Sequence, residues 1–133
     1  MTTYVDTSVL LKRYVDEPDS DRAQELLAAD PELATGRHTI VEVRRNLARL
    51  LMATDAAAAR VAFADDVGAL SIVELDAATC ETAAAVAEQT GVRTLDALHL
   101  GAALRLGTAI TFLTFDARQA HAARALGFPV AGV

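Results

Sequence analysis

With 133 residues, 53% of them hydrophobic and only 5% aromatic, the chain is long enough for one core, built from Ala, Val, Leu and Ile. No apolar run approaches the roughly 20 residues of a membrane span, and a single cysteine, Cys80, excludes a disulfide framework. The net charge of −6 argues against a polyanion-binding surface unless several carboxylates hold divalent cations.

The first residues, Met1-Thr2-Thr3-Tyr4-Val5-Asp6, carry neither the basic region nor the apolar stretch of a secretory leader, so a cytoplasmic protein is expected. Three scattered histidines show no zinc-site spacing. Lys12 is the only lysine and the other basic residues are arginines. Arginine is the better fork for phosphate, but GC-rich codon usage accounts for the bias more simply.

Thr3-Tyr4-Val5 reads as a first strand, followed by a helix over about 8–15 that Pro18 stops. A second helix begins near Asp19 and carries Ala23, Leu26 and Leu27 on one face. Leu33-Ala34-Thr35 is a short strand ended by Gly36. A helix over about 39–52 follows, with Ile40, Val43, Leu47, Leu50 and Leu51 as its apolar stripe. An alanine-rich helix over about 56–67 ends at Gly68, and residues 71–75 form a strand. A helix over 77–89 is closed by Gly91, and another over 95–106 by Gly107. Residues 109–115 are the clearest strand, a last helix spans 117–126, and Pro129-Val130-Ala131 adds a terminal strand. Strands separated by helices predict an α/β fold, a three-layer α/β/α sandwich on a central, mainly parallel sheet, as one domain over 1–133.

In such sheets the functional crevice lies outside the carboxyl ends of the strands. Asp6 directly follows the first strand, and Asp116 directly follows the strongest. Glu42 falls in the first turn of its helix, on the border of the apolar stripe at about 100° per residue. Asp96 is also in a first helical turn. Each acid has a plain structural reading: Asp6 and Asp116 as helix caps, Asp96 as a partner of the helix dipole, Glu42 as a surface acid pairing with Arg45 or Arg49. Together they form a set of carboxylates that would repel one another unless protonated or bound to a cation. An all-oxygen donor set suits Mg²⁺ or Mn²⁺.

Tyr4-Val5-Asp6-Thr7-Ser8-Val9-Leu10-Leu11-Lys12, the helical Glu42, Leu95-Asp96-Ala97-Leu98-His99-Leu100, Thr114-Phe115-Asp116 and the stretch from Ala122 through Gly127 to Val130 follow one another in a familiar order. In this order the chain resembles the PIN domain, and most of all the VapC-type toxins of bacterial toxin–antitoxin pairs. The resemblance covers essentially the whole chain. It implies an endoribonuclease dependent on Mg²⁺ or Mn²⁺, with Asp6 and Asp96 as first choices for direct ligands. Glu42 and Asp116 would then bind a second ion or hold its waters. It also implies a small antitoxin partner and a homodimer.

Around these acids, Thr7 and Ser8 can bond the Asp6 carboxylate, with Ser8 favoured, and Thr114 points to the same side as Asp116. His99 is expected to pack against the sheet rather than act as a base, while His38 and His121 read as exposed polar positions. Arg45, Arg49 and Arg93 are candidates for RNA phosphates, a solvated face with internal ion pairs being equally compatible. Leu10, Leu11, Tyr14 and Val15, with Leu26 and Leu27, are candidate walls of a partner groove, although core packing suits most of them better. A phosphoacceptor receiver domain needs a lysine after a late strand, which is lacking, and an Asp-x-Asp phosphatase fails because Ser8 stands at the second acid. The remaining alternative is a catalytically silent PIN-like module that binds RNA or protein, separable by cation-dependent RNA cleavage.

Overall fold

A computed structural model describes residues 2–133. Its centre is a five-stranded sheet, parallel throughout, in the order β3-β2-β1-β4-β5. The strands are β1 (Thr2–Val5), β2 (Glu32–Gly36), β3 (Ser71–Val73), β4 (Thr111–Thr114) and β5 (Val130–Gly132). Helices α1 (Thr7–Leu11) and α2 (Ser20–Ala28) connect β1 to β2, and α3 (His38–Leu50) and α4 (Ala53–Val67) connect β2 to β3. The helices α5 (Ala77–Thr90) and α6 (Thr94–Leu104) lead to β4, and α7 (Ala117–Ala125) leads to β5.

Alternation along the strands builds the two halves of the core. Tyr4 and Phe112 point to one face, where they meet Leu100, Ala103, Ala123 and Phe128 from the α5–α6–α7 side. Their neighbours Val5 and Leu113 point to the other, against Val9, Leu27, Val43, Leu47 and Phe63 from α1 to α4. A sheet covered on both faces explains the near-continuous apolar runs of its central strands. The α5–α6 contact is especially close, because a Cβ on Gly101 would lie 2.8 Å from the backbone of Ala83.

Two expectations are corrected. The first helix ends at Leu11 rather than near Val15: i→i−3 turns from Lys12, Arg13 and Tyr14 N–H follow it, and tertiary contacts pin that turn as well. There, Tyr14 donates to Asp66 Oδ2 at 2.6 Å and Arg13 lies 3.3 Å from the same oxygen. Leu50 shares the stripe of Val43 and Leu47 yet is 43% exposed. A 13-residue helix is about 20 Å long, whereas strands of this size span about 10–17 Å, so its last turn overhangs the sheet. Leu10, Leu11 and Leu27 are buried core, the packing expected for most of the candidate groove walls. The large apolar side chains left exposed on α3, α4 and the junction between them are Val41, Leu50, Met52 and Val61. Among the described residues no helix is long and apolar enough to cross a membrane.

Candidate functional site

The chain runs outward from β1 through β2 to β3, then returns to the opposite side of β1 for β4 and β5. This reversal opens the sheet edge between β1 and β4, the place where parallel sheets bind ligands. The register Val5↔Leu113 brings the two strand ends level, and Asp6 N–H donates to the Leu113 carbonyl at 3.3 Å.

Asp6 is buried and fully engaged. Its Oδ1 accepts from Ser8 Oγ at 2.7 Å and from Val9 N–H at 3.2 Å, which makes it the N-cap of α1. Its Oδ2 accepts from Thr114 Oγ1 at 2.5 Å. The same threonine oxygen accepts the Asp116 N–H at 3.0 Å, so Thr114 ties the two acid-bearing strand ends together. Asp116 caps α7 through Oδ1, accepting from Arg118 N–H and Gln119 N–H at 2.8 and 3.1 Å, and is exposed. Structural capping and placement at the crevice therefore coincide in both residues.

Glu42 does not pair with Arg45 or Arg49. Its Oε1 accepts from Thr7 Oγ1 at 2.7 Å and lies 3.0 Å from His99 Nε2. Burial pushes this carboxyl up, but the bonds from His99 and Thr7 outweigh it and the net direction is down. Thr7 thus serves Glu42 rather than Asp6. His99 is buried against β1, as expected, and also uses both ring nitrogens: Nδ1 meets Tyr4 Oη at 2.8 Å and Nε2 is shared with Glu42 and with Thr7 at 3.1 Å.

Asp96 differs from the other three. Its carboxylate makes no hydrogen bond among the described residues, although its backbone carbonyl accepts from Gln119 Nε2 at 3.3 Å. Burial raises its pKa most and the charge of Asp116 raises it further; His99 opposes them, and Asp6 and Glu42 add smaller upward effects. Asp96 therefore feels the other three acids through space and carries the uncompensated charge. A cation answers that repulsion, and an oxygen-only donor set at a partly wet site fits a hard divalent ion.

Beside Asp96 lies a cleft of about 690 Å³ between α5, α6 and α7, lined among others by Val92, Arg93, Arg118, His121 and Ala122. Arg93 lines this cleft, and Arg118 and His121 join it from α7 without any sequence signal, because α7 meets α6 only in three dimensions. Arg45 instead borders a shallow hollow between α3 and α4, with Arg44 and Arg60, and Arg49 is bonded to Asn46 at 3.0 Å. The expectation for His121 holds, since it is exposed, but that for His38 is overturned. His38 is only 7% exposed and packs against His99 with ring centroids 4.2 Å apart. The ring occupies space that exists because residue 36 is glycine, where a Cβ would lie 2.4 Å from His38 Cε1. Burial, with the charge of His99 adding to it, lowers its pKa to about 4.

Residues 3–125 match the model of the PIN domain. The chain belongs to the PIN-domain family. A curated relative, Ribonuclease VapC46 of Mycobacterium tuberculosis, is 31% identical over 128 residues, covering 96% of this chain and 94% of the relative. Among solved structures, VapC20 of M. tuberculosis, a sarcin-ricin loop cleaving toxin, superposes with TM-score 0.74 at 23% identity over 98% of both chains. A toxin–antitoxin complex from Klebsiella pneumoniae gives 0.66 at 18% identity over 86% of each.

Proposed function

We propose that this PIN domain is a metal-dependent endoribonuclease acting as the cytoplasmic toxin of a toxin–antitoxin pair, with Mg²⁺ or Mn²⁺ held among Asp6, Glu42, Asp96 and Asp116. The observation that carries this reading is Asp96: a half-buried carboxylate with no hydrogen-bond partner among the described residues, which feels the charges of three other acids near the sheet's ligand-binding edge. The relative named as a ribonuclease and the structural relatives described as toxins support it.

Each side chain has a distinct part. Thr114 and Ser8 hold Asp6 in one orientation, so its oxygens need no rearrangement on binding. Thr7 and His99 keep Glu42 ionised and fix its Oε1, leaving Oε2 available. Asp116 is tethered through Oδ1 alone, so its other oxygen can take a proton from, or orient, an attacking water. When bound, the ion supplies a water of lowered pKa and positive charge opposite the scissile phosphate and the leaving 3′-oxygen. Arg93 and Arg118 beside Asp96 offer forks for the neighbouring phosphates, which reconciles a net negative protein with an anionic substrate.

The test is cleavage of total RNA by purified protein with Mg²⁺ or Mn²⁺, in EDTA, and with an Asp6→Asn control. Cleavage that needs the ion and Asp6 is expected. Full activity in EDTA would remove the metal mechanism, and RNA binding without cleavage under any condition would leave the silent module.

A further inference from the structure

The donor atoms of His38, Glu42 and His99 lie within 4.8 Å of one another, the one such group of three potential ligands among the described residues. Glu42 Oε1 is 3.0 Å from His99 Nε2 and 3.9 Å from His38 Nε2. Both nitrogens of His38 are buried without a hydrogen-bond partner, while the ring sits more than nine-tenths buried beside Glu42. A buried polar atom left unsatisfied is costly and calls for a bound water or ion. His99 is already held as metal-binding histidines usually are: its far nitrogen, Nδ1, meets the Tyr4 hydroxyl at 2.8 Å.

We infer that His38, Glu42 and His99 form a second metal site, distinct in chemistry from the acid set and selective for a Zn²⁺-class transition ion. Two imidazoles and one carboxylate are donors for Zn²⁺, Co²⁺ or Ni²⁺ rather than Mg²⁺. Tetrahedral coordination at about 2.0–2.1 Å places ligand atoms about 3.3 Å apart, so the pairs at 3.0 and 3.9 Å need shifts of well under 1 Å. Glu42 is partly exposed and opens the fourth position to water. With the ion on His99 Nε2, Nδ1 carries the proton and donates to Tyr4 Oη. Gly36 is part of the site, since any side chain there would collide with the His38 ring. The site stands on these side chains and does not depend on RNA cleavage. Because Glu42 is also one of the four acids, an ion bound here holds that carboxylate on the histidine side.

The test uses the tag-free, metal-free full chain carrying Cys80→Ser, because Cys80 is exposed and would bind zinc itself. Zn²⁺ is titrated by calorimetry while the imidazole nitrogens are followed by long-range ¹H–¹⁵N NMR. One equivalent is expected to bind, to move the ring signals of His38 and His99 but not His121, and to persist in about a hundredfold excess of Mg²⁺. His38→Phe is expected to weaken binding by roughly tenfold or more. Displacement by Mg²⁺, shifts confined to His121, no binding, or unchanged affinity in His38→Phe would each overturn the site. The wild-type ring signals decide the matter if that variant does not fold.

Discussion

Asp96 and Thr114 separate stabilising from functional chemistry one side chain at a time. The folded-state pKa of Asp96 is raised above its usual 3.8, so the folded protein holds that proton more tightly than the unfolded chain does. Its contribution to stability is therefore present below pH 4 and lost as pH rises through the folded value. In chelator at pH 7, Asp96→Asn is expected to melt at the same or a higher temperature than the parent, with the advantage fading toward pH 4, while RNA cleavage is abolished. A large drop in melting temperature at pH 7 would make Asp96 a structural residue. Thr114 presents one hydroxyl to both Asp6 and Asp116 N–H. Thr114→Val keeps the shape and removes that hydroxyl, and a loss of about 10- to 100-fold in cleavage or metal affinity is expected with little change in fold. Metal titration alongside circular dichroism checks it; unchanged affinity and rate would leave Thr114 as a strand residue only.

At the scale of elements, the closest contact is the one between α5 and α6, which sets where Asp96 sits on the sheet edge. Gly101→Ala places a Cβ 2.8 Å from Ala83 Cα and N, so one helix must move. Overpacking of this kind costs about 1–3 kcal/mol. Urea unfolding is expected to show that loss, together with weakened cleavage as α6 carries Asp96 away from Asp6. Wild-type stability in Gly101→Ala would mean that the helices separate freely. Most elements were legible because their apolar spacing is strong: the Val43/Leu47 stripe and the β4 run are both where periodicity puts them. The first helix stops short of Val15 where i→i−3 turns take over, and there Tyr14 and Arg13 reach Asp66, 52 residues away from the tyrosine, a contact that local propensity does not contain.

For the whole molecule, the question is what covers the apolar surface. Val41 on α3, Met52 at the junction and Val61 on α4 are 69%, 79% and 72% exposed. Small domains retain such area for a partner, and a two-fold axis is the commonest way a single patch meets itself. A homodimer through this face is expected, with twice the 14.0 kDa chain mass in light scattering at micromolar concentration. Val61→Lys is expected to shift that mass toward the monomer. A monomeric parent would assign the face to an antitoxin instead.

The sequence by itself determined the alternation of strands and helices, the two-sided core and the four acids, because each rests on local spacing or on a residue's place at a strand or helix end. Only the tertiary structure decided what those acids touch. Nothing local says that His99 reaches across 57 positions to Glu42, or that Thr114 reaches 108 positions to Asp6. His38 was misread as exposed for the same reason. Its burial depends on the missing side chain at Gly36 and on the His99 ring arriving from α6, a vacancy and a neighbour that exist only once the sheet has brought β2 and α6 together.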